Sequence, residues 1–338
     1  MFHKVFIEKS VLSTAQAENI LSKVKFKELI EIEEYGDFFA QSKRPYLQKR
    51  EDLNLYIGKK KGQLIKEAPD AYGTYGEPHY YYVHAYNCIY ECDYCYLQGY
   101  FHSPDLVLFI NHDEILASME ELLLKSKDLI DSGKKIWFHA GEFSDSLALS
   151  HLTQEIEAYY EFFENNPMAM WELRTKSVNT SVIKKLSPLP NMVTSFSISP
   201  PETAKSHDLK TPPTALRVKA MKELQQLGHK VAIHLDPIIL KDNFQEKYQE
   251  LLQMLKEEIN LSKVEYVSLG VVRFSSDVYE QVKKNYPESS YLNKEFITAS
   301  DGKIKYPRPI RNWMLSSVKQ ICLDAGLAEK QIYLCMED

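Results

Sequence analysis

The chain has 338 residues, 44% hydrophobic and 26% charged, with a formal net charge of -6. These values suit a soluble globular protein of one large domain or two ordinary ones, and they give no global signal for nucleic-acid binding. No run of eighteen apolar residues is present to cross a membrane, and the N-terminus lacks a signal-peptide pattern, so a cytoplasmic location without a membrane partner is expected.

In chain order, Ser13 or Thr14 caps a helix running to about Lys25. Mixed charged sequence follows from Glu28 to Lys66, and Pro69, Gly73 and Gly76 mark a loop. An alternation then begins. Strands are expected at Tyr80–Ala85, Lys135–His139, Met168–Arg174, Met192–Ile198, Lys230–Leu235 and Val264–Leu269. Helices are expected in the intervals at Asp113–Ser132, Leu152–Glu164, Asn179–Leu186, Pro213–Leu227 and Phe244–Ile259. This order predicts an α/β fold with a parallel sheet. Periodicity does not separate an open sheet from a partial barrel. In both, the carboxyl ends of the strands carry the site. Cys88, Glu142, Lys176, Ser199, Asp236 and Arg273 all follow strand ends. The tail reads as a helix near Val278–Asn285, a loop or hairpin across Gly302, a helix at Arg311–Asp324 and a last strand at Lys330–Cys335.

Three of the five cysteines, Cys88, Cys92 and Cys95, fall within eight positions as C-x3-C-x2-C, with no fourth nearby. Structural zinc prefers four closed ligands. Three thiolates on one loop suit an iron–sulfur cluster with one iron left open. The alternative is a zinc site completed by His84 or His79.

This motif, after the first strand of a (βα) series, resembles the radical S-adenosylmethionine superfamily. His84-Ala-Tyr-Asn-Cys88, Cys92-Asp-Tyr-Cys95-Tyr-Leu-Gln98, Phe138-His-Ala-Gly-Glu-Phe-Ser-Asp145, Arg174-Thr-Lys176, Phe196-Ser-Ile198, Arg273-Phe274 and Lys284-Asn-Tyr-Pro287 are similar, in order, to segments of the spore photoproduct lyases. The resemblance implies a partial (β/α)6 TIM-like barrel over 76–275, a small N-terminal α/β region over 1–75, and a C-terminal hairpin and helix extension over 276–338. It implies a [4Fe–4S] cluster on Cys88, Cys92 and Cys95, with S-adenosylmethionine on the open iron. It places Tyr94, Ser144, Lys176 and Ser197 against that cofactor, with Ser199 just past the same strand as Ser197. It places Tyr96 near the radical path. It also implies damaged DNA as a partner and an electron donor such as flavodoxin or ferredoxin.

The chain departs from the family at Glu142, where the lyases carry the cysteine that returns a hydrogen atom to the product radical. A carboxylate has no comparable hydrogen to give. Glu142 is either a ligand for the cofactor's amino group, as in the Gly-Gly-Glu motif of other radical enzymes, or one part of a changed hydrogen-return route in which Cys335, Cys322 or Tyr96 serves as donor. His234 and Asp236 also replace an apolar stretch, which predicts a more polar pocket if they face it. In the tail, Lys303, Lys305 and Arg308 interleave with Tyr306, with Trp313 beyond, and together with Arg273 they are candidates for nucleic-acid contact. Three readings stay open: a DNA-lesion lyase, a radical enzyme for another substrate, and a non-catalytic iron–sulfur protein that binds nucleic acid.

Overall fold

Strands that alternate with helices hide both faces of a parallel sheet, so their sequences are apolar on both sides. Ile136–Ala140 and Met192–Ser197 are buried at every position. The computed structural model describes residues 2–41, 53–69 and 76–336; Gly73 lies outside them. In it, an eight-stranded sheet runs in the order Ile332–Leu334, Val264–Val271, Lys230–Ile238, Met192–Ser197, Ala169–Thr175, Ile136–Ala140, His79–Tyr82 and Ile65–Glu67. Only the last pairing is antiparallel. All six expected strands are there, and the strand expected in the tail joins them as a seventh parallel member. The sheet curls until its two ends touch: Tyr81 from one side packs with Tyr333 and Cys335 from the other. This is the partial barrel that the resemblance implies.

Helices cover the outer face. In His112–Lys125 the residues Ile115, Met119 and Leu123 recur every four positions and are buried. Phe163 from Glu155–Asn165 stacks on Trp171 of the sheet at 4.6 Å between ring centres. A ring of that size contributes about 2–3 kcal/mol through its buried area. The expected helix at Asn179–Leu186 is only a 3-10 turn at Ile183–Lys185, because Pro188 and Pro190 cut the crossover short. A helix at Pro201–His207 was not expected.

The N-terminal region holds more order than its mixed charge suggests. Thr14 does cap a helix, Ala15–Lys23, accepting from the Ala17 N–H at 3.2 Å. That helix packs on a second sheet in the order Phe26–Ile32, Phe2–Glu8, Leu55–Gly58, Leu106–Phe109 and Ala85–Tyr86. Phe26–Ile32 lies at its edge with most positions exposed, so its alternating charges hide a strand. The two segments that flank the cysteine loop, Ala85–Tyr86 and Leu106–Phe109, pair with each other, and Leu106–Phe109 also pairs with Leu55–Gly58, so the sheet runs across the boundary expected at residue 75.

Along each barrel strand every second side chain points inward. The innermost layer is apolar: Trp137, Met170, Val193, Ala232 and Tyr266. Two residues further on the same strands are polar: His139, Glu172, Ser195, His234 and Ser268. The next step reaches the mouth with Gly141, Arg174, Ser197, Asp236 and Gly270. No helix among the described residues is long and apolar enough to cross a membrane.

Candidate active site

The cysteine loop leaves the barrel after Tyr82 and is fastened before its first cysteine. Asn87 takes a left-handed conformation (φ 61°), and its amide donates to the Ser103 and Asp105 carbonyls, both at 2.7 Å. Cys88, Cys92 and Cys95 then line a single cavity of about 540 Å³. Burial pushes all three thiols up, and Lys176 opposes the rise at Cys92 and Cys95. Cys92 is buried and Cys88 and Cys95 are half-buried, and thiols pushed up in this way are stabilised as thiolates by a bound cation, which fits a metal-bearing role. Among the described residues, no three His, Cys, Asp or Glu side chains converge as ligands of one metal ion. His84, bonded to Glu155 through Nδ1 at 2.9 Å, and His79, bonded to His139 at 2.8 Å, do not line the cavity that the three cysteines share. Three thiols lining one cavity are the donor set that a four-iron cluster takes when three of its irons each carry a thiolate.

Ser144, Lys176 and Ser197 line the same cavity as the cysteines. Two features set their loops. Gly141 has φ +95°, and a Cβ there would lie 2.7 Å from Ser146 Oγ and 2.8 Å from the Arg174 carbonyl oxygen. Asp145 accepts from the Lys176 N–H at 2.7 Å, from Thr175 Oγ1 at 2.6 Å and from the Leu147 and Ala148 N–H groups. One carboxylate thus fastens the Ser144 loop to the Lys176 loop. Gly141→Ala is expected to cost about 1–3 kcal/mol, from strain at positive φ and the backbone clash, read as a lower urea midpoint. Burial opposes the Lys176 charge, but Cys92 and Asp208 outweigh it and its pKa is raised. Its Nζ lies 5.5 Å from the centre of the Tyr94 ring. The Tyr94 hydroxyl donates to Asp208, which pairs with buried Arg217 at 2.7 Å. Ser199 lines neither this cavity nor the larger one described next; its carbonyl accepts from Thr214 Oγ1 at 2.9 Å at the start of a helix. Ser199 thus stands apart from Ser144, Lys176 and Ser197, which line the cysteine cavity.

A second cavity of about 1480 Å³ fills the barrel mouth and shares Tyr96, Glu142, Arg174, Lys176 and Ser197 with the first. Glu142 stands at this junction. Burial raises its carboxyl pKa, and Arg174, His139 and Arg273 pull it back only in part. The Tyr96 hydroxyl donates to the Glu142 carbonyl oxygen, which ties the cysteine loop to the neighbouring strand end. His234 and Asp236 line the larger cavity, so the mouth is polar. Asp236 holds Arg273 through two contacts of 3.1 Å, and a Cβ on Gly270 would sit 2.6 Å from that carboxylate. Glycine is needed there for the pair to form.

The four nucleic-acid candidates separate. Arg273 and Lys303 line the cavity. Lys305 does not reach out: it is 1% exposed and pairs with Asp301 at 2.9 Å within the hairpin of Ile297–Thr298 and Ile304–Lys305. Tyr306 is wholly buried and offers no face for stacking. Arg308 is exposed at the start of the helix Arg308–Asp324, and Trp313, 47% exposed, packs its edge on Phe244. Lys305 and Tyr306 are thus corrected to structural roles, because the short hairpin folds its inner face onto the barrel.

The residues that sequence reasoning passed over are Glu172, His139, Arg174 and Asp145. Glu172, 1% exposed, accepts from His139 Nδ1, His234 Nε2 (2.8 Å), Ser195 Oγ (2.5 Å) and the Tyr266 hydroxyl, with Arg174 Nε at 3.8 Å. Inside apolar strands, the polar residues recurring every second position were the available signal.

The spore photoproduct lyase family model matches residues 3–308. The spore photoproduct lyase of Clostridium acetobutylicum is 22% identical over 203 residues, 60% of this chain and 59% of that protein. That of Geobacillus sp. strain Y412MC61 is 22% identical over 205 residues, with the same coverage. Both matches span less than two thirds of those relatives. Among solved structures, a cysteine-to-alanine variant of spore photoproduct lyase superposes with a TM-score of 0.81 at 18% identity, covering 99% of this chain and 98% of the other. A double variant with bound AdoMet and dinucleoside spore photoproduct gives 0.80 at 17% identity, covering 100% and 99%. The fold is shared along its whole length, the family model covers nine-tenths of the sequence, and the chain belongs to the spore photoproduct lyase family.

Proposed function

We propose that this protein is a radical S-adenosylmethionine enzyme, with Cys88, Cys92 and Cys95 holding a [4Fe–4S] cluster. The observation that carries the reading is one continuous space: three thiols, Ser144, Lys176 and Ser197 line a cavity that opens past Glu142 and Tyr96 into a larger one. A cluster held by Cys88, Cys92 and Cys95 would supply one-electron reduction to S-adenosylmethionine bound beside it. The chain's own groups do the rest. Lys176, Ser144 and Ser197 hold the cofactor beside the cluster. Tyr94 closes the cluster side of the mouth, and Tyr96 with Glu142 forms the sill between cofactor and substrate. Arg174, Arg273 and Lys303 bring positive charge to the substrate cavity, where a lesion's phosphates or carbonyls can be met.

The solved relative with bound AdoMet and dinucleoside spore photoproduct supports a thymine-lesion substrate in DNA. Arg308 at the rim would add a phosphate contact, and a flavodoxin or ferredoxin would deliver the electron. A second reading, a different substrate, is favoured by Glu142, His234 and Asp236, which make this mouth more polar than a thiol-bearing one. Anaerobic reconstitution with iron and sulfide, then dithionite and S-adenosylmethionine, is expected to release 5′-deoxyadenosine. A cluster-loaded chain that releases none sinks the enzyme reading. Incubation with dinucleoside spore photoproduct separates the substrates. Wild-type repair supports the lesion. Repair only by Glu142→Cys supports a lesion-shaped pocket that has lost its hydrogen donor. Repair by neither supports another substrate.

A further inference from the structure

The turn between Cys92 and Cys95 is held from outside. Cys95 N–H donates to the Cys92 carbonyl at 3.1 Å, so the two ligand positions flank one tight turn. Asp93, its second residue, points away from the cysteine cavity and is 3% exposed. Its Oδ2 meets His207 Nδ1 at 2.9 Å and accepts from Ser289 Oγ at 2.6 Å. Those partners lie 114 and 196 residues further along the chain. The backbone of Asp93 is engaged as well: its N–H donates to the His207 carbonyl at 3.0 Å, and its carbonyl accepts from the Tyr291 hydroxyl at 3.1 Å. His207 and Ser289 are themselves buried, at 2% and 8% exposed.

This is more than the loop needs in order to stay attached. Glu91 and Cys92 already pair with Leu209 and Asp208 in a short antiparallel ladder, and Tyr94 is tied to Asp208. The Asp93 contacts act instead on the span between two thiols, from the side opposite the cavity. Gathering three buried polar side chains from separate segments costs desolvation, and the two bonds on Asp93 Oδ2 offset it while Oδ1 takes none. Outer-shell groups of this kind orient the ligands of metal sites and change their affinity when removed.

We propose that Asp93, His207 and Ser289 are positioning residues for the cluster: they set the turn between Cys92 and Cys95, and so the placement of two of its three thiols, before any iron arrives. This rests on the cluster assignment above. His207 grips the carboxylate laterally while Ser289, just after the Lys284–Pro287 stretch, closes it from the C-terminal segment. The turn's geometry therefore depends on three regions of the chain at once.

The test is reconstitution of the wild type and of Asp93→Ala, Asp93→Asn and Ser289→Ala, reading iron and sulfide per chain, the electron paramagnetic resonance of the reduced cluster, and the melting midpoint of the metal-free chain. Asp93→Ala is expected to bind iron at least tenfold more weakly, as loss of an outer-shell partner typically does. Asp93→Asn, which keeps an acceptor oxygen, should recover most of the binding. Ser289→Ala should keep the metal-free melting midpoint yet show a broadened or shifted resonance. Wild-type iron affinity and an unchanged resonance in Asp93→Ala and Ser289→Ala, beside a loaded wild type, overturn this inference alone. So does iron loss that only follows a drop in melting midpoint and is not restored by Asp93→Asn. A wild type that takes up no cluster overturns the cluster assignment and this inference together.

Discussion

Cys92→Ala is expected to emerge from anaerobic reconstitution without the brown cluster absorbance and with most of its iron lost. Cys92 is the most enclosed of the three candidate ligands. It is 6% exposed, sits in the ladder with Asp208, and lines the cavity with Cys88 and Cys95. Removing it leaves two thiols, and neither His84 nor His79 lines that cavity to replace it. Two thiolates do not retain a four-iron cluster, so the effect is close to total rather than partial. The same result is expected for Cys88→Ala and Cys95→Ala. Cys322→Ala is the control, because that thiol lies buried among the helices outside both cavities. Iron retained in all three cysteine variants would refute the ligand set.

The largest effect on stability is expected from Glu172→Leu, at about 3–5 kcal/mol, seen as an earlier urea transition of the metal-free chain. The substitution puts a bulkier, branched apolar group in the barrel centre and leaves His139, His234, Tyr266 and Ser195 without their acceptor. Each orphaned donor costs of the order of 1–3 kcal/mol, partly relieved by rearrangement. Glu172→Gln keeps an acceptor and should lose less. Acid gives an independent reading. Burial alone would raise the Glu172 pKa, but His139 and Arg174, with the hydrogen bonds from His139 and His234, hold it well below the usual carboxylate range. Burial pushes His234 down to about 4, so it is neutral in the folded chain near pH 7. Both groups bind protons more readily when unfolded. The stability they contribute is in place above about pH 6.5 for His234 and above about 4.3 for Glu172, and it is lost as pH falls through those windows. In Glu172→Leu the part of the acid sensitivity that arises below about pH 4.3 should shrink. An unchanged profile would remove Glu172 from that account.

Much of the barrel was legible because parallel strands buried on both faces are short, apolar and separated by amphipathic helices. Strand ends were legible too, and with them the loops that carry Cys88, Glu142, Lys176 and Asp236. What stayed hidden had two physical causes. Phe26–Ile32 reads as polar because an edge strand keeps its charges in water. Glu172 and His139 read as ordinary strand residues because inward and outward positions differ only by alternation, and the inward layer is polar just where the barrel changes from core to pocket. The expected roles of Lys305 and Tyr306 failed for the opposite reason. Basic and aromatic residues alternate along the hairpin, but the sequence does not say which face folds down, and the structure turns those two inward.

The pairing of Leu106–Phe109 with Leu55–Gly58 bears on how this protein can be cut. The cysteine loop begins and ends on the same two-strand stem, where Ala85 faces Leu108 and Tyr86 faces Val107. One side of that stem is completed only by the N-terminal segment. A truncation at residue 75, attractive as a way to isolate the barrel, would bare the backbone edge of Leu106–Phe109 and uncover Leu106 and Leu108. The shortened chain would tend to aggregate through that edge, and the loop would lose the splint that closes its ends.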